Sequence, residues 1–90
     1  MKKQISVYYS GRVQGVGFRF TAENLANKLG ISGWVKNLND GRVEILAEAE
    51  EDALKKFLSE LGESFSRYIQ NTEINWLDPL EKFQDFSIKF

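Results

Sequence analysis

Gly11-Arg12-Val13-Gln14-Gly15-Val16-Gly17-Phe18-Arg19 stands between two different hydrophobic periods. Before it, Ile5, Val7 and Tyr9 alternate with polar neighbours, the two-residue period of a half-buried strand over residues 4–10. After it, Ala22, Leu25, Ala26 and Leu29 recur at i, i+3, i+4 and i+7, one face of a helix over about residues 20–29. Gly30 falls where a left-handed C-cap belongs. A glycine-rich turn from strand into helix aims backbone N–H groups into one concavity. Arg19 closes that turn at a helix start, where positive charge opposes the helix dipole by about 0.3–1 kcal/mol. A bound anion reverses that sign, so the segment reads as a cradle for a group of phosphate size.

Outward from the loop, Ser32 to Asn39 reads as a second strand through Trp34, Val35 and Leu38. Asn39-Asp40-Gly41 is a hairpin signal, because turns with positive φ favour these residues. Val43, Ile45 and Ala47 alternate as a third strand. Glu50, Glu51 and Asp52 open a second helix with acids at its positive dipole end. Its apolar face is Leu54, Phe57, Leu58 and Leu61, and Gly62 is expected to end it. A fourth strand lies within Arg67–Trp76. Its apolar parity slips between Ile69 and the pair Ile74 and Trp76, which implies a bulge. Pro79 falls in a loop, and Phe86, Ile88 and Phe90 form a short last strand. The order is β-α-β-β-α-β with a fifth strand last. One apolar stripe per helix and one apolar face per strand are buried most simply with both helices on one face of an antiparallel sheet. That is an α+β arrangement, the ferredoxin-like α/β plait, expected as a single domain over residues 1–90.

Composition narrows the chemistry. The chain has no Cys and no His. Thiolate nucleophiles, phosphohistidine and the Ser-His-Asp triad are thereby excluded, as are zinc sites built from Cys or His. The missing cysteine fits a reducing cytoplasm. No apolar run approaches the ~20 residues that span a bilayer, and the start at Met1-Lys2-Lys3-Gln4 does not read as a signal peptide. Residues 1–42 hold seven Lys/Arg against two acids, a net +5, whereas residues 43–90 hold five against eleven, a net −6. The positive half contains the cradle. A nucleic-acid footprint needs a more basic domain than this.

The loop is not a Walker A sequence, which requires Gly-Lys-Ser/Thr, and its glycine spacing is not that of a dinucleotide fingerprint. What remains is one phosphate-sized seat formed by the backbone N–H groups of Gln14, Gly15, Val16, Gly17 and Phe18; the alternative is a glycine turn that holds nothing. Arg19 offers a planar, permanently charged fork for two phosphate oxygens; the alternative is a surface ion pair with Glu23. Its neighbours Phe18 and Phe20 are expected to fix it by packing. Asn37 interrupts a strand with a residue that strands disfavour, and it shares parity with the inward Val35. Its carboxamide suits a water and a phosphate oxygen at once; the alternative is a local bond to backbone near the hairpin.

The segment 11–19, together with Leu29-Gly30-Ile31-Ser32-Gly33-Trp34-Val35-Lys36-Asn37 and Asp40-Gly41-Arg42-Val43-Glu44, closely resembles the acylphosphatase family in motif, order and spacing. The likeness is strong over about residues 5–48 and rests mainly on pattern beyond them. Two positions depart from the family: Ala49 where glycine is frequent, and Gly62-Glu63 where Gly-Pro is frequent. The resemblance implies the same plait and the hydrolysis of acyl phosphates, with a small-molecule acyl phosphate as partner. It implies that Arg19 and the amides of Gln14 to Phe18 bind phosphate and that Asn37 positions the attacking water. Metal and cofactor are expected to be absent, and nucleic acid and membrane are not expected as partners. The expected form is a cytoplasmic monomer. Two rivals stand beside the enzyme: a phosphate- or carbamoyl-phosphate-binding module without useful turnover, and an RNA-binding plait that stacks bases on Tyr8 or Tyr68.

Overall fold

The computed structural model describes all residues 1–90. The elements are β1 (Lys2–Gly11), α1 (Phe18–Leu29), β2 (Ser32–Asn37), β3 (Val43–Glu50), α2 (Glu51–Ser64), β4 (Ile69–Leu77) and β5 (Phe86–Lys89). They form one sheet in the order β4-β1-β3-β2-β5. The register places Ile5 opposite Ala47, Val7 opposite Ile45 and Tyr9 opposite Val43, so the inward sets of β1 and β3 coincide. Gly33 and Val35 of β2 continue that face. Both helices pack on it: α1 buries Phe18, Ala22 and Ala26, and α2 buries Leu54, Phe57 and Leu61. The expected plait is the observed one.

Three features needed more than local pattern. β5 pairs parallel with β2, making the sheet mixed rather than wholly antiparallel. The path of the chain explains this. β4 ends where Leu77 meets Gln4, at the end of the sheet where β1 begins. Residues 78–85 then cross the helix-free face, held where the Glu81 N–H donates to both carboxylate oxygens of buried Glu48 at 2.9 and 3.1 Å. β5 therefore starts at the end where β2 starts and runs alongside it. Second, Gly62 lies inside α2, which continues to Ser64. The apolar stripe extends one turn further to Phe65, 6% exposed and stacked 4.7 Å from Phe18. Burying that ring outweighs an interior glycine, which costs about 1 kcal/mol. Third, β2 stops at Asn37, and Leu38–Arg42 form the hairpin turn closed by Leu38 N–H to Arg42 O at 2.8 Å.

The parity slip in β4 is the expected bulge. Ser10 pairs with Asn71 but Gly11 pairs with Ile69, leaving Gln70 as the extra residue. Gly11 sits there at φ 122, where a Cβ would overlap the Tyr68 carbonyl oxygen. Only glycine lets β4 approach β1 this closely at the point where the chain leaves for the loop.

β1, β2 and β5 run in one direction, and all three finish at the same end of the sheet. The glycine loop, Asn37 and Phe90 are thus delivered to one end of the molecule.

Candidate active site

α1 begins without the usual partners for its free N–H groups. Its N-cap is Gly17 in the left-handed region (φ 83, ψ 14), no side chain caps it, and no acid lies in its first turn. Gly15 is also left-handed at φ 77. Nothing lies within 4 Å of a Cβ built on Gly15 or Gly17, so φ alone demands glycine at these positions. Alternation of such residues turns successive N–H groups toward one point, and the helix dipole adds partial positive charge there.

The loop is anchored from both sides. Arg12 N–H donates to Tyr68 O at 2.9 Å. The Gln14 Nε2 donates to Leu38 O at 2.8 Å and to Arg42 O at 2.9 Å, tying the loop to the hairpin that follows Asn37. Tyr9 and Phe18 stack at 4.8 Å beneath the start of α1. Burial pushes the Tyr9 phenol far above its ordinary range, so it stays neutral. Its oxygen has no hydrogen-bond partner within the chain.

A cleft of about 160 Å³ opens at this end, lined by Gly15, Gly17, Phe18, Arg19 and Asn37. Val13, Phe20, Ile88 and Phe90 complete its wall. Arg19 has no carboxylate within 4 Å; the chain's ion pairs are Met1–Glu50, Lys36–Glu44, Arg42–Asp40 and Lys55–Glu51. The surface pair with Glu23 is not formed. The Arg19 guanidinium instead lies 5.1 Å from the centre of the Phe90 ring. Asn37 faces the same side as Val35, and its Oδ1 is buried with no hydrogen-bond partner. It does not bond the hairpin backbone. An orphaned buried acceptor beside an unpaired guanidinium and an uncapped helix start can hold an anion and a water together.

Of the residues singled out in the sequence, Gly15, Gly17, Phe18, Arg19 and Asn37 meet at the cleft, whereas Val16 packs against the core and the Gln14 side chain turns to the hairpin. Phe20 differs from expectation: it is 63% exposed and does not help bury the loop. Sequence reasoning missed the rim, Val13, Phe20, Ile88 and Phe90. The place of Phe90 depends on how β5 pairs, which no local pattern sets. Gly33 pairs with Phe86 and Val35 with Ile88, so the same register carried on sets Phe90 beside Asn37. A larger hollow of about 540 Å³, lined by Lys3, Glu51, Lys55, Trp76, Leu77 and Asp78, lies at the opposite end of the sheet. No three acidic side chains gather anywhere to hold a metal ion.

The acylphosphatase family model matches residues 5–88. The chain belongs to the acylphosphatase family. It is 45% identical over 84 residues to an acylphosphatase of Roseiflexus sp., covering 91% of this chain and 89% of that one. The crystal structure of acylphosphatase from Bacillus subtilis matches with a TM-score of 0.91 and 41% identity over the full length of both chains. An acylphosphatase from Coxiella burnetii matches with a TM-score of 0.87 and 34% identity, covering 98% of this chain and 93% of that one. Membership makes the protein a hydrolase of acyl phosphates. No helix is long and apolar enough to cross a membrane.

Proposed function

We propose that residues 1–90 act as a single acylphosphatase domain in which Arg19 and the backbone N–H groups of Gln14 to Phe18 hold the phosphoryl group and Asn37 orients the attacking water. The observation that carries the reading is the buried, unpartnered Oδ1 of Asn37 in the same cleft as an Arg19 without an acid and a helix start without a cap. The water oxygen forms a bond to phosphorus while the phosphorus–oxygen bond to the acyl group breaks. The electron pair leaves with the carboxylate, and a phosphate oxygen accepts the water's proton.

A carboxylate is a weak base and departs without a general acid. Phosphoryl transfer of this kind is largely dissociative, so positioning and charge stabilisation suffice. That accounts for a site without His or Cys. It also removes the need for a metal, because Arg19 and the loop amides supply the positive charge. The enzyme is proposed to be a cytoplasmic monomer that needs no cofactor and acts on neither nucleic acid nor membrane. A binding module would fill the same cleft without turnover. Phosphate release from benzoyl phosphate in the presence of excess EDTA decides between them. Sustained release supports the enzyme; phosphate binding without release, or release abolished by EDTA, overturns it.

A further inference from the structure

Catalysis makes no use of a buried acid at the other end of the sheet. Ile5 and Ala47, a cross-strand pair, face the helices, so the adjacent pair, Gln4 and Glu48, stands on the helix-free face. Gln4 is nevertheless only 4% exposed and Glu48 2%, because residues 78–85 cross this face and tether there. Residues directly opposite in an antiparallel ladder have Cβ atoms about 4.5–5.5 Å apart, so the two polar side chains are neighbours beneath the strap.

The pair is short of positive charge. The Glu48 carboxylate accepts the Glu81 N–H, at 2.9 and 3.1 Å, and no other hydrogen bond. It takes part in none of the chain's ion pairs. Ser32, its neighbour on β2, donates its hydroxyl to the Glu48 carbonyl oxygen at 3.3 Å rather than to the carboxylate. Gln4 has Leu77 on its other side, and its Oε1 is buried with no hydrogen-bond partner. Burying a carboxylate is costly unless it is paired or coordinates a metal ion. Here a carboxylate and an amide oxygen lie side by side, and because both are acceptors neither satisfies the other. Glu81 is the one non-glycine residue at positive φ, 57, and in that conformation its N–H reaches Glu48.

We infer that the Glu48 carboxylate and Gln4 Oε1 form a site for a small monovalent cation of the size and hardness of sodium. Oxygen donors alone select a hard cation. One buried negative charge is balanced by one positive charge, whereas divalent ions are held by gatherings of acids that this chain does not have. None of the three surface hollows reaches Gln4 or Glu48, so the space suits an ion smaller than a water molecule. The ion ties β1, β3 and the strap together and so holds β5 against β2. It sits where β1 and β2 begin, at the end of the sheet away from Arg19 and Asn37, and acts on stability rather than on the chemistry.

Thermal melts in NaCl and in choline chloride at matched ionic strength test the site in the wild type, Glu48→Gln and Gln4→Leu. Choline carries the same charge but is too large to enter. Sodium is expected to raise the wild-type Tm by about 5 °C or more over choline, with the saturation of a single site. Both variants lose most of that difference. Glu48→Gln removes the charge, yet its side-chain oxygen still accepts from Glu81 and its N–H donates to Gln4, so the fold is kept. The wild-type comparison stands without either variant. Equal melting in the two salts, a sodium effect that does not saturate, or one that both variants keep overturns the site.

Discussion

The two helices start in opposite ways. α2 follows β3 without a loop and carries Glu51 and Asp52 in its first turn, with Lys55 paired to Glu51 at 3.0 Å. α1 follows a glycine loop, has no acid in its first turn and places Arg19 there instead. At α2 the chain meets the positive dipole end with its own carboxylates. At α1 it leaves that end open and adds a further positive charge. The difference teaches that a helix N-terminus becomes a candidate anion site when the chain withholds the partners it supplies elsewhere, and when unpaired polar groups converge on the same point.

Arg19→Ala breaks the contrast most severely. Loss of the guanidinium is expected to reduce kcat/KM on benzoyl phosphate about 10³-fold and to abolish measurable inhibition by inorganic phosphate; retention of phosphate inhibition would contradict the account. Asn37→Ala separates holding from attack. Its kcat should fall about 10²-fold while the phosphate inhibition constant moves less than threefold, and steady-state kinetics on benzoyl phosphate check this. Gly17→Ala strains a left-handed position. Urea unfolding should show a loss of about 1–2 kcal/mol, together with weaker phosphate inhibition. The smallest effect belongs to α2. Lys55 hydrogen-bonds Glu51 and, with its charge, holds that carboxyl below its ordinary value. A depressed carboxyl contributes stability that is present above pH 4.5 and fades as pH falls through the lower folded value. Thermal melts from pH 6 to 3 should therefore lose slightly more stability in the wild type than in Glu51→Gln, with no change in catalysis at neutral pH.

Where one period ran unbroken, the sequence was enough. β1, α1, Gly30 as C-cap and the β4 bulge all follow from spacing, because each depends on neighbours within a few residues. Arg19 and Asn37 stood out as candidates for a related reason: each breaks a local rule, a cation at a helix start and an amide in a strand, and both line the cleft. The parallel pairing of β5 was not legible, since it depends on residues 78–85 crossing the sheet to meet Glu48. Gly62 misled because its role is set by Phe65 packing on Phe18, a contact between residues far apart in sequence. The Gln14 clamp on Leu38 and Arg42, and the exposure of Phe20, likewise belong to tertiary structure alone.

The contrast between the helix starts is tested most directly by titrating inorganic phosphate into the isotopically labelled protein and following amide resonances by NMR. Saturating shifts are expected at Gly15, Val16, Gly17, Phe18 and Arg19 and at the Asn37 side-chain amide, with Glu51, Asp52 and Ala53 unmoved. Shifts of equal size at the start of α2, or a glycine loop that does not respond at saturating phosphate, would contradict it.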